Sequence, residues 1–128
     1  MLSKYDKLFD MHGKVVFAAG GAGAIGSEMA HALAGYGAKV AIADISLEAC
    51  EQAAAELAAT GAETIGVAIN VLDEASVAAA VSAVEARLGA VDVLVNTVGT
   101  HIEQPAQESQ ADSCCSIYPT WFNAPLLE

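Results

Sequence analysis

The glycine-rich segment at residues 19–26 has the residue types and spacing in this chain best suited to chemistry. Its sequence is Ala-Gly-Gly-Ala-Gly-Ala-Ile-Gly, which satisfies G-x-G-x-x-G with Gly21, Gly23 and Gly26. Glycines let a backbone approach a phosphate closely, and the N–H groups and dipole at a helix start favour negative charge. The segment therefore predicts a pyrophosphate cradle. The alternative is a tight turn that serves only helix–strand packing.

An acidic residue follows at the separation that a dinucleotide site requires. Asp44 lies at the end of the next apolar run, close to the roughly 20-residue spacing of the dinucleotide fingerprint. Its carboxylate would accept hydrogen bonds from the adenosine ribose hydroxyls and would repel a 2′-phosphate. Neither the loop nor Ile45 and Ser46 supplies a compensating base. We therefore expect NAD rather than NADP, the alternative being that Asp44 is a solvated cap or turn residue.

Asparagines follow the next two apolar runs. Asn70 comes after the third run, and Asn96 with Thr97 after the fourth. Ligands of open parallel sheets bind outside the carboxyl ends of the strands, so both asparagines are candidates for the same site. Asparagines that only stabilise turns are equally common in such positions.

Repeated strand-then-helix units would position these residues. Short, nearly continuous apolar runs predict four strands that are buried on both faces, at Val15 to Ala19, Lys39 to Ala43, Thr64 to Ile69 and Val91 to Val95. Segments with helical spacing separate them. Right-handed crossovers then give strand order 3-2-1-4 with three helices covering both faces. The predicted fold class is α/β, a three-layer Rossmann-type parallel sheet, truncated after the fourth strand.

The three predicted helices carry recognisable ends and faces. The first, roughly Ile25 to Tyr36, places Ile25, Met29, Leu33 and Tyr36 on one face, which we expect to cover the sheet. Ser46 and Asp73 are the predicted N-caps of the second and third helices. The third helix has an apolar stripe formed by Val77, Val81, Val84 and Leu88.

Composition and charge limit the classes of partner. Sixteen acidic residues oppose five basic ones, for a net charge of -11, so neither nucleic acid nor an anionic membrane surface is an expected partner. The first ten residues carry charges throughout, which favours a cytosolic location. No metal site is expected, because no histidine has a ligand at suitable spacing, and the cysteines are interpreted as reduced thiols. The predicted organisation is a lead-in at 1–13, a dinucleotide-binding half-domain at 14–99 and an irregular tail at 100–128.

Taken together, the motifs resemble those of the short-chain dehydrogenase/reductase family. Residues 19–26 are similar to its T-G-x-x-x-G-x-G loop, Asn70-Val71 to its Asp-Val, and residues 96–99 to its N-N-A-G. The resemblance covers about Leu8 to Thr100. It implies that Asn70 lies near the adenine and that Asn96 braces the fourth strand beside the cofactor. It also implies hydride transfer between NAD(P) and alcohols or ketones, often sugars, polyols or steroids.

The sequence also departs from that family pattern. Ala19 replaces a threonine and lacks its hydroxyl, Ala24 replaces a glycine, and Asn70 replaces an aspartate. Thr97-Val98 stands for Asn-Ala. The family's catalytic serine and Tyr-x-x-x-Lys pair, in which the lysine lowers the tyrosine pKa for proton exchange with the substrate, is not found. Tyrosines 5, 36 and 118 are followed four residues on by Phe9, Val40 and Phe122.

Two functional hypotheses follow. The chain is either the NAD-binding half of a short-chain dehydrogenase, without catalytic residues of its own, or a non-catalytic NAD-binding or interaction module, a truncated product whose fold alone would be marginal. The expected partners are the dinucleotide, an alcohol or ketone by resemblance, and another copy or a relative that pairs with the exposed sheet edge. The predicted cofactor-binding residues are Gly20, Gly21, Gly23, Ala24, Ile25, Gly26, Asp44, Ile45, Asn70, Val71, Asn96, Val98 and Gly99.

Overall fold

A computed structural model describes residues 6–99 of the chain. The predicted tail at 100–128 and the first residues of the lead-in lie outside the described residues. Four strands alternate with three helices after a short 3-10 helix at Asp6–Leu8. The elements are β1 Val15–Ala19, α1 Ala24–Gly35, β2 Lys39–Asp44, α2 Leu47–Ala58, β3 Thr64–Ala68, α3 Glu74–Leu88 and β4 Val93–Asn96.

The strands form one parallel sheet in the order β3-β2-β1-β4. β1 lies between β2 and β4, with Val16 opposite both Val40 and Val93. The predicted α/β class, strand order and three helices are confirmed. The chain therefore reverses direction across the sheet at β1, the position at which open sheets of this kind bind ligands.

Burial separates the central strands from the outer ones. β1 is buried along its whole length, and β2 is buried except at its two end residues. β4 instead alternates between half-buried and exposed positions, and the Leu94 side chain is 45% exposed. The expectation that all four strands are buried on both faces is therefore right for the central pair and wrong for the outer strands. In β3 only Val67 is buried, and β4 has no buried residue, because α3 packs over β3 and β2.

Two apolar clusters form the layers on either side of the sheet. Val16 and Ala18 of β1 pack on the side of α1 and α2. Val15, Phe17 and Ala19 point to the opposite side and pack with α3. This alternation places two helices on one face and one on the other, as the crossover rule predicts.

Most of the predicted apolar face of α1 is exposed. Ile25 is 72% exposed, Met29 44% and Tyr36 54%, and only Leu33 of that face packs against the core, where it is partly buried. The fully buried residues of α1 are Gly26 and Ala30. The helix lies so close to the sheet that small residues form its contact surface. Large side chains at that interface would hold the helix away from β1 and from the loop that precedes it.

The starts of α2 and α3 follow the sequence prediction. The Ser46 hydroxyl accepts a hydrogen bond from the Ala49 N–H at 3.3 Å, and the Asp73 carboxylate accepts one from Ala75 N–H at 3.1 Å. Both N-caps are confirmed. The predicted stripe on α3 is buried at Val77, Val84 and Leu88, and Val81 is partly buried beside them.

Close packing also fixes α2 on β3. A Cβ atom added to Gly66 would come within 2.6 Å of the Cys50 backbone, so glycine permits this approach. Cys50 itself is fully buried, and burial raises the pKa of its thiol. Within residues 6–99, no helix is long and apolar enough to cross a membrane.

Candidate binding site at the carboxyl edge of the sheet

The glycine loop turns sharply at the end of β1 and is tied to β2. Gly20 adopts a φ of +77°, a conformation that favours glycine. The N–H groups of Gly20 and Gly21 both donate to the Ala43 carbonyl, at 2.7 and 3.2 Å. The Gly23 N–H then donates to the Gly20 carbonyl at 3.1 Å and closes the turn. The loop is therefore held in one conformation by its own backbone.

Gly26 lets α1 start directly against this turn. A Cβ atom at this position would lie 2.2 Å from the Gly20 carbonyl oxygen, a separation that real Cβ atoms do not show. Any side chain here would displace either the loop or the helix. The third glycine of the motif is thus required by close helix–loop packing, while the first turn of α1 remains beside the end of β1.

The N-terminus of α1 keeps its donors available. Gly23 is the N-cap, and no side chain of the described residues caps it. The first turn of α1 also contains no acidic residue. The first N–H groups of an α-helix have no intrahelical acceptor, which here applies to Ala24, Ile25 and Gly26. Such a terminus carries a partial positive charge and suits a phosphate group.

Asp44 lies at the end of β2, next to the carbonyl that holds the loop. It follows Ala43 directly, and its side chain is half-buried. One carboxylate oxygen accepts a hydrogen bond from the Ile45 N–H at 2.8 Å. The Ile45 side chain is 71% exposed beside it. The structure therefore brings the predicted ribose acceptor and the predicted phosphate cradle to the same edge.

The segment after β3 also reaches this edge. The Ile69 N–H donates to the Asp44 carbonyl at 2.8 Å, which places Asn70 next to the end of β2. The Asn70 side chain accepts a hydrogen bond from the Leu72 N–H at 3.1 Å, the arrangement of an Asx turn. Val71 packs against the core on the α3 side. Asn70 therefore has a structural role in the turn whatever else it binds.

The segment after β4 completes the edge on the other side of β1. Asn96 pairs with Ala19, and its side chain accepts a hydrogen bond from the Val98 N–H at 3.2 Å. Val98 is partly buried against the α3-side core, whereas Gly99 is exposed. As at Asn70, the asparagine side chain stabilises its own turn.

Thr97 has a contact with the glycine loop that the sequence analysis missed. Its hydroxyl is 3.0 Å from the Ala19 carbonyl oxygen and 3.2 Å from that of Gly20. The signal was present in the predicted strand order, because β4 next to β1 places residue 97 beside the loop.

The model of the family described as short chain dehydrogenase matches residues 14–127. That is nearly the whole chain, and it extends beyond the Leu8 to Thr100 over which the motifs are similar. The chain belongs to the short chain dehydrogenase family. Members of this family are oxidoreductases that bind NAD or NADP and act on alcohols or ketones.

Relatives with assigned names support this membership. D-threitol dehydrogenase of Mycolicibacterium smegmatis is 41% identical over 100 residues, which covers 78% of this chain and 38% of that protein. The uncharacterized oxidoreductase YxjF of Bacillus subtilis is 34% identical, over 91% of this chain and 46% of that protein. This chain therefore spans less than half of the length of these two relatives.

A solved structure supports the fold. A dehydrogenase/reductase from Sinorhizobium meliloti superposes with a TM-score of 0.81 at 25% identity, over 98% of this chain and 50% of that one. The half of the fold that this chain matches contains the sheet order and the three helices described above.

The residues present fit a dinucleotide. The first turn of α1 offers N–H donors and no acidic residue, and Gly26 lets that turn start directly against the glycine loop. Asp44 adds a carboxylate at the end of the adjacent strand. This donor and acceptor set matches a pyrophosphate joined to a ribose, which is the part that NAD and NADP share.

Proposed function

We propose that this chain binds NAD and that Asp44 selects NAD over NADP. The observation that carries the proposal is the open N-terminus of α1, joined through the Ala43 carbonyl to the strand that ends at Asp44. A 2′-phosphate beside the Asp44 carboxylate would meet like charge. The sequence provides no lysine or arginine in the loop or directly after Asp44 to offset that charge.

Each predicted residue has a role in this proposal. The pyrophosphate is bound by the loop, from Gly20 to Gly23, and by the first turn of α1 at Ala24, Ile25 and Gly26. Asp44 and Ile45 flank the adenosine ribose, and Asn70 with Val71 borders the adenine. Asn96, Val98 and Gly99 border the remaining part of the cofactor. When bound, the nicotinamide supplies the hydride acceptor or donor.

The activity that we propose for the whole protein is oxidation of an alcohol or reduction of a ketone, with a polyol or sugar as substrate. The name of the relative D-threitol dehydrogenase favours this substrate class. Proton transfer to or from the substrate oxygen requires an acid/base group. No tyrosine of this sequence has a lysine four residues later, so we propose that this group lies outside these 128 residues.

The second candidate is a non-catalytic NAD-binding or interaction module. The observation that favours it is the exposed Leu94 side chain of β4, which is the outer strand on its side of the described sheet. Two further hypotheses apply to either candidate. We place the protein in the cytosol, and we propose that β4, which is the outer strand on its side of the described sheet, pairs with another copy or with a relative.

Thermal unfolding with each cofactor tests the proposal. A ligand at about one hundred times its dissociation constant adds about 2.7 kcal/mol to the free energy of unfolding of a two-state protein. We expect NAD to raise the unfolding temperature and NADP at the same concentration to leave it unchanged. Equal shifts with the two cofactors would contradict selection by Asp44, and no shift with either would contradict the site.

The substitution Asp44→Asn sharpens the test. Asparagine keeps an oxygen for the Ile45 N–H and removes the charge, so we expect NAD affinity to fall about tenfold, since hydrogen bonds to charged groups are worth about 1.5–3 kcal/mol. The NAD-to-NADP preference should fall with it. Glu85→Gln removes the same charge from an exposed position on α3 and serves as the control. An unchanged preference in D44N would contradict the proposal.

A further inference from the structure

The Thr97 hydroxyl lies at the junction of β1, β4 and the glycine loop. It is partly buried and within hydrogen-bonding distance of two carbonyl oxygens, those of Ala19 and Gly20. The Thr97 N–H also donates to the Ala19 carbonyl, at 2.9 Å. Backbone and side chain of one residue therefore hold the last residue of β1 and the first residue of the loop.

The Gly20 carbonyl is the centre of this arrangement. It accepts the Gly23 N–H that closes the turn, and it lies 3.2 Å from the Thr97 hydroxyl, which follows the neighbouring strand β4. It also occupies the space in which a side chain on Gly26 would lie. Because glycine has no Cβ atom, the backbone of Gly20 has more conformational freedom than that of other residues and reaches its positive φ, and these contacts fix its orientation.

The orientation of this peptide determines where the donors of α1 point. Gly23 is both the N-cap of α1 and the residue whose N–H reaches the Gly20 carbonyl. A rotation of the Gly20 peptide would release Gly23 and shift the first turn of the helix. The donors would then lose their common direction, which is the property that makes a helix start an anion site.

We infer that Thr97 is a positioning residue for pyrophosphate binding: its one hydroxyl hydrogen is shared between the Ala19 and Gly20 carbonyls, which fixes the Gly20 peptide and thereby aims the first-turn N–H groups of α1. This inference rests on the proposed function of the loop. It assigns a role in the phosphate half of the site to the residue directly after β4, which is not part of the glycine motif.

The substitution Thr97→Val tests this role, because valine keeps the shape of threonine and removes the hydroxyl. We expect the affinity for NAD and for ADP to fall about fivefold, the value of one hydrogen bond of about 1 kcal/mol. Adenosine, which has no phosphate, should bind equally to both proteins. Thr97→Ser keeps the hydroxyl and should retain the affinity for all three ligands. Thr97→Ala differs from Thr97→Ser only by the hydroxyl, so this second pair measures the same hydrogen bond without the bulk of valine.

Thr64→Val is the matched control. Thr64 begins β3, and its hydroxyl is buried without a hydrogen-bond partner among the described residues. The same chemical change there should leave all three affinities unchanged. Amide hydrogen exchange of the unliganded chain gives a second readout, since the Gly23 N–H should exchange faster in T97V than in T64V or T97S.

The outcomes separate the two proposals. Unchanged ADP affinity in T97V, or an equal loss for ADP and adenosine, would overturn the positioning role while NAD binding by the wild-type chain still supports the proposed function. A wild-type chain that binds none of the three ligands would overturn both. Faster exchange at Gly23 together with a loss confined to the phosphate-bearing ligands would establish the role of Thr97.

Discussion

Three helices begin at the same edge of the sheet, and they begin in two different ways. α2 and α3 are capped by the side chains of Ser46 and Asp73, and each has a glutamate in its first turn. α1 has a glycine N-cap and no acidic residue in that turn. Since all three follow a parallel strand in the same fold, the open start is a property of the α1 sequence and not of the architecture.

The comparison shows where stability and binding compete. A side-chain cap contributes about 1 kcal/mol, and an acidic residue in the first turn adds about 0.3–1 kcal/mol by opposing the helix dipole. α2 and α3 use both devices, and their first-turn donors are therefore less available to a ligand. α1 forgoes both, which leaves its donors free for an external anion.

The largest expected effect comes from Gly26→Ala. The added Cβ would lie 2.2 Å from the Gly20 carbonyl oxygen, so either the loop or α1 must move. We expect the free energy of unfolding to fall by about 3 kcal/mol, the upper end for overpacking, and NAD binding to be lost. Urea unfolding and calorimetric titration measure the two quantities.

Gly35→Ala is the control for this variant. Gly35 ends the same helix and has nothing within 4 Å of an added Cβ, so we expect a gain of about 0.5 kcal/mol from helix propensity and unchanged NAD affinity. If G26A bound NAD as well as G35A does, the close approach between loop and helix would be irrelevant to binding.

The next largest effect on NAD affinity is expected when α1 is given an aspartate N-cap like that of α3. Gly23 has ordinary extended dihedral angles, φ -79° and ψ 168°, which an aspartate can adopt. We expect Gly23→Asp to raise the free energy of unfolding by roughly 0.5 kcal/mol, because it caps the helix and opposes its dipole. NAD affinity should fall more than tenfold, since the new carboxylate takes the phosphate position. A more stable chain with unchanged affinity would show that the phosphate binds elsewhere.

The smallest effect on NAD affinity is expected for the converse change, the removal of the cap of α3. Asp73→Ala removes the cap on Ala75, and we expect the free energy of unfolding to fall by about 1 kcal/mol with no change in NAD affinity. Asp73→Asn keeps a capping oxygen and should cost only a few tenths of a kcal/mol. A parallel loss of NAD affinity in D73A would mean that the helix starts do not act independently.

Local sequence signals predicted most of this fold. The β1 boundaries, the strand order and both side-chain caps follow from apolar runs, crossover handedness and N-cap preferences, which are determined within short segments. The start of β4 is two residues later than predicted. Just before this strand, the Asp92 N–H donates to the Val15 carbonyl and the Asp92 carboxylate accepts the Val15 N–H, both at 2.9 Å.

Features that depend on the approach of two elements were harder to predict. The apolar spacing of Ile25, Met29 and Tyr36 suggested a buried face, but the distance between α1 and the sheet decides which face fits. Gly26 and Ala30, four residues apart, were the informative signal. The contact of Thr97 with the loop joins residues far apart in the sequence. The predicted strand order brings these residues near each other, but the contact also depends on how closely β4 and the loop approach.

The Ala43 carbonyl accepts two N–H groups from the loop, and Asp44 follows it in the chain. The separation between the phosphate cradle and the ribose acceptor is consequently built into the backbone before any ligand arrives. Under the proposed function this fixed separation selects ligands by length, and a spacer between ribose and phosphate that is shorter or longer than that of adenosine 5′-diphosphate would engage one end only. A site that is already fixed in the unliganded chain would also lose little conformational entropy on binding.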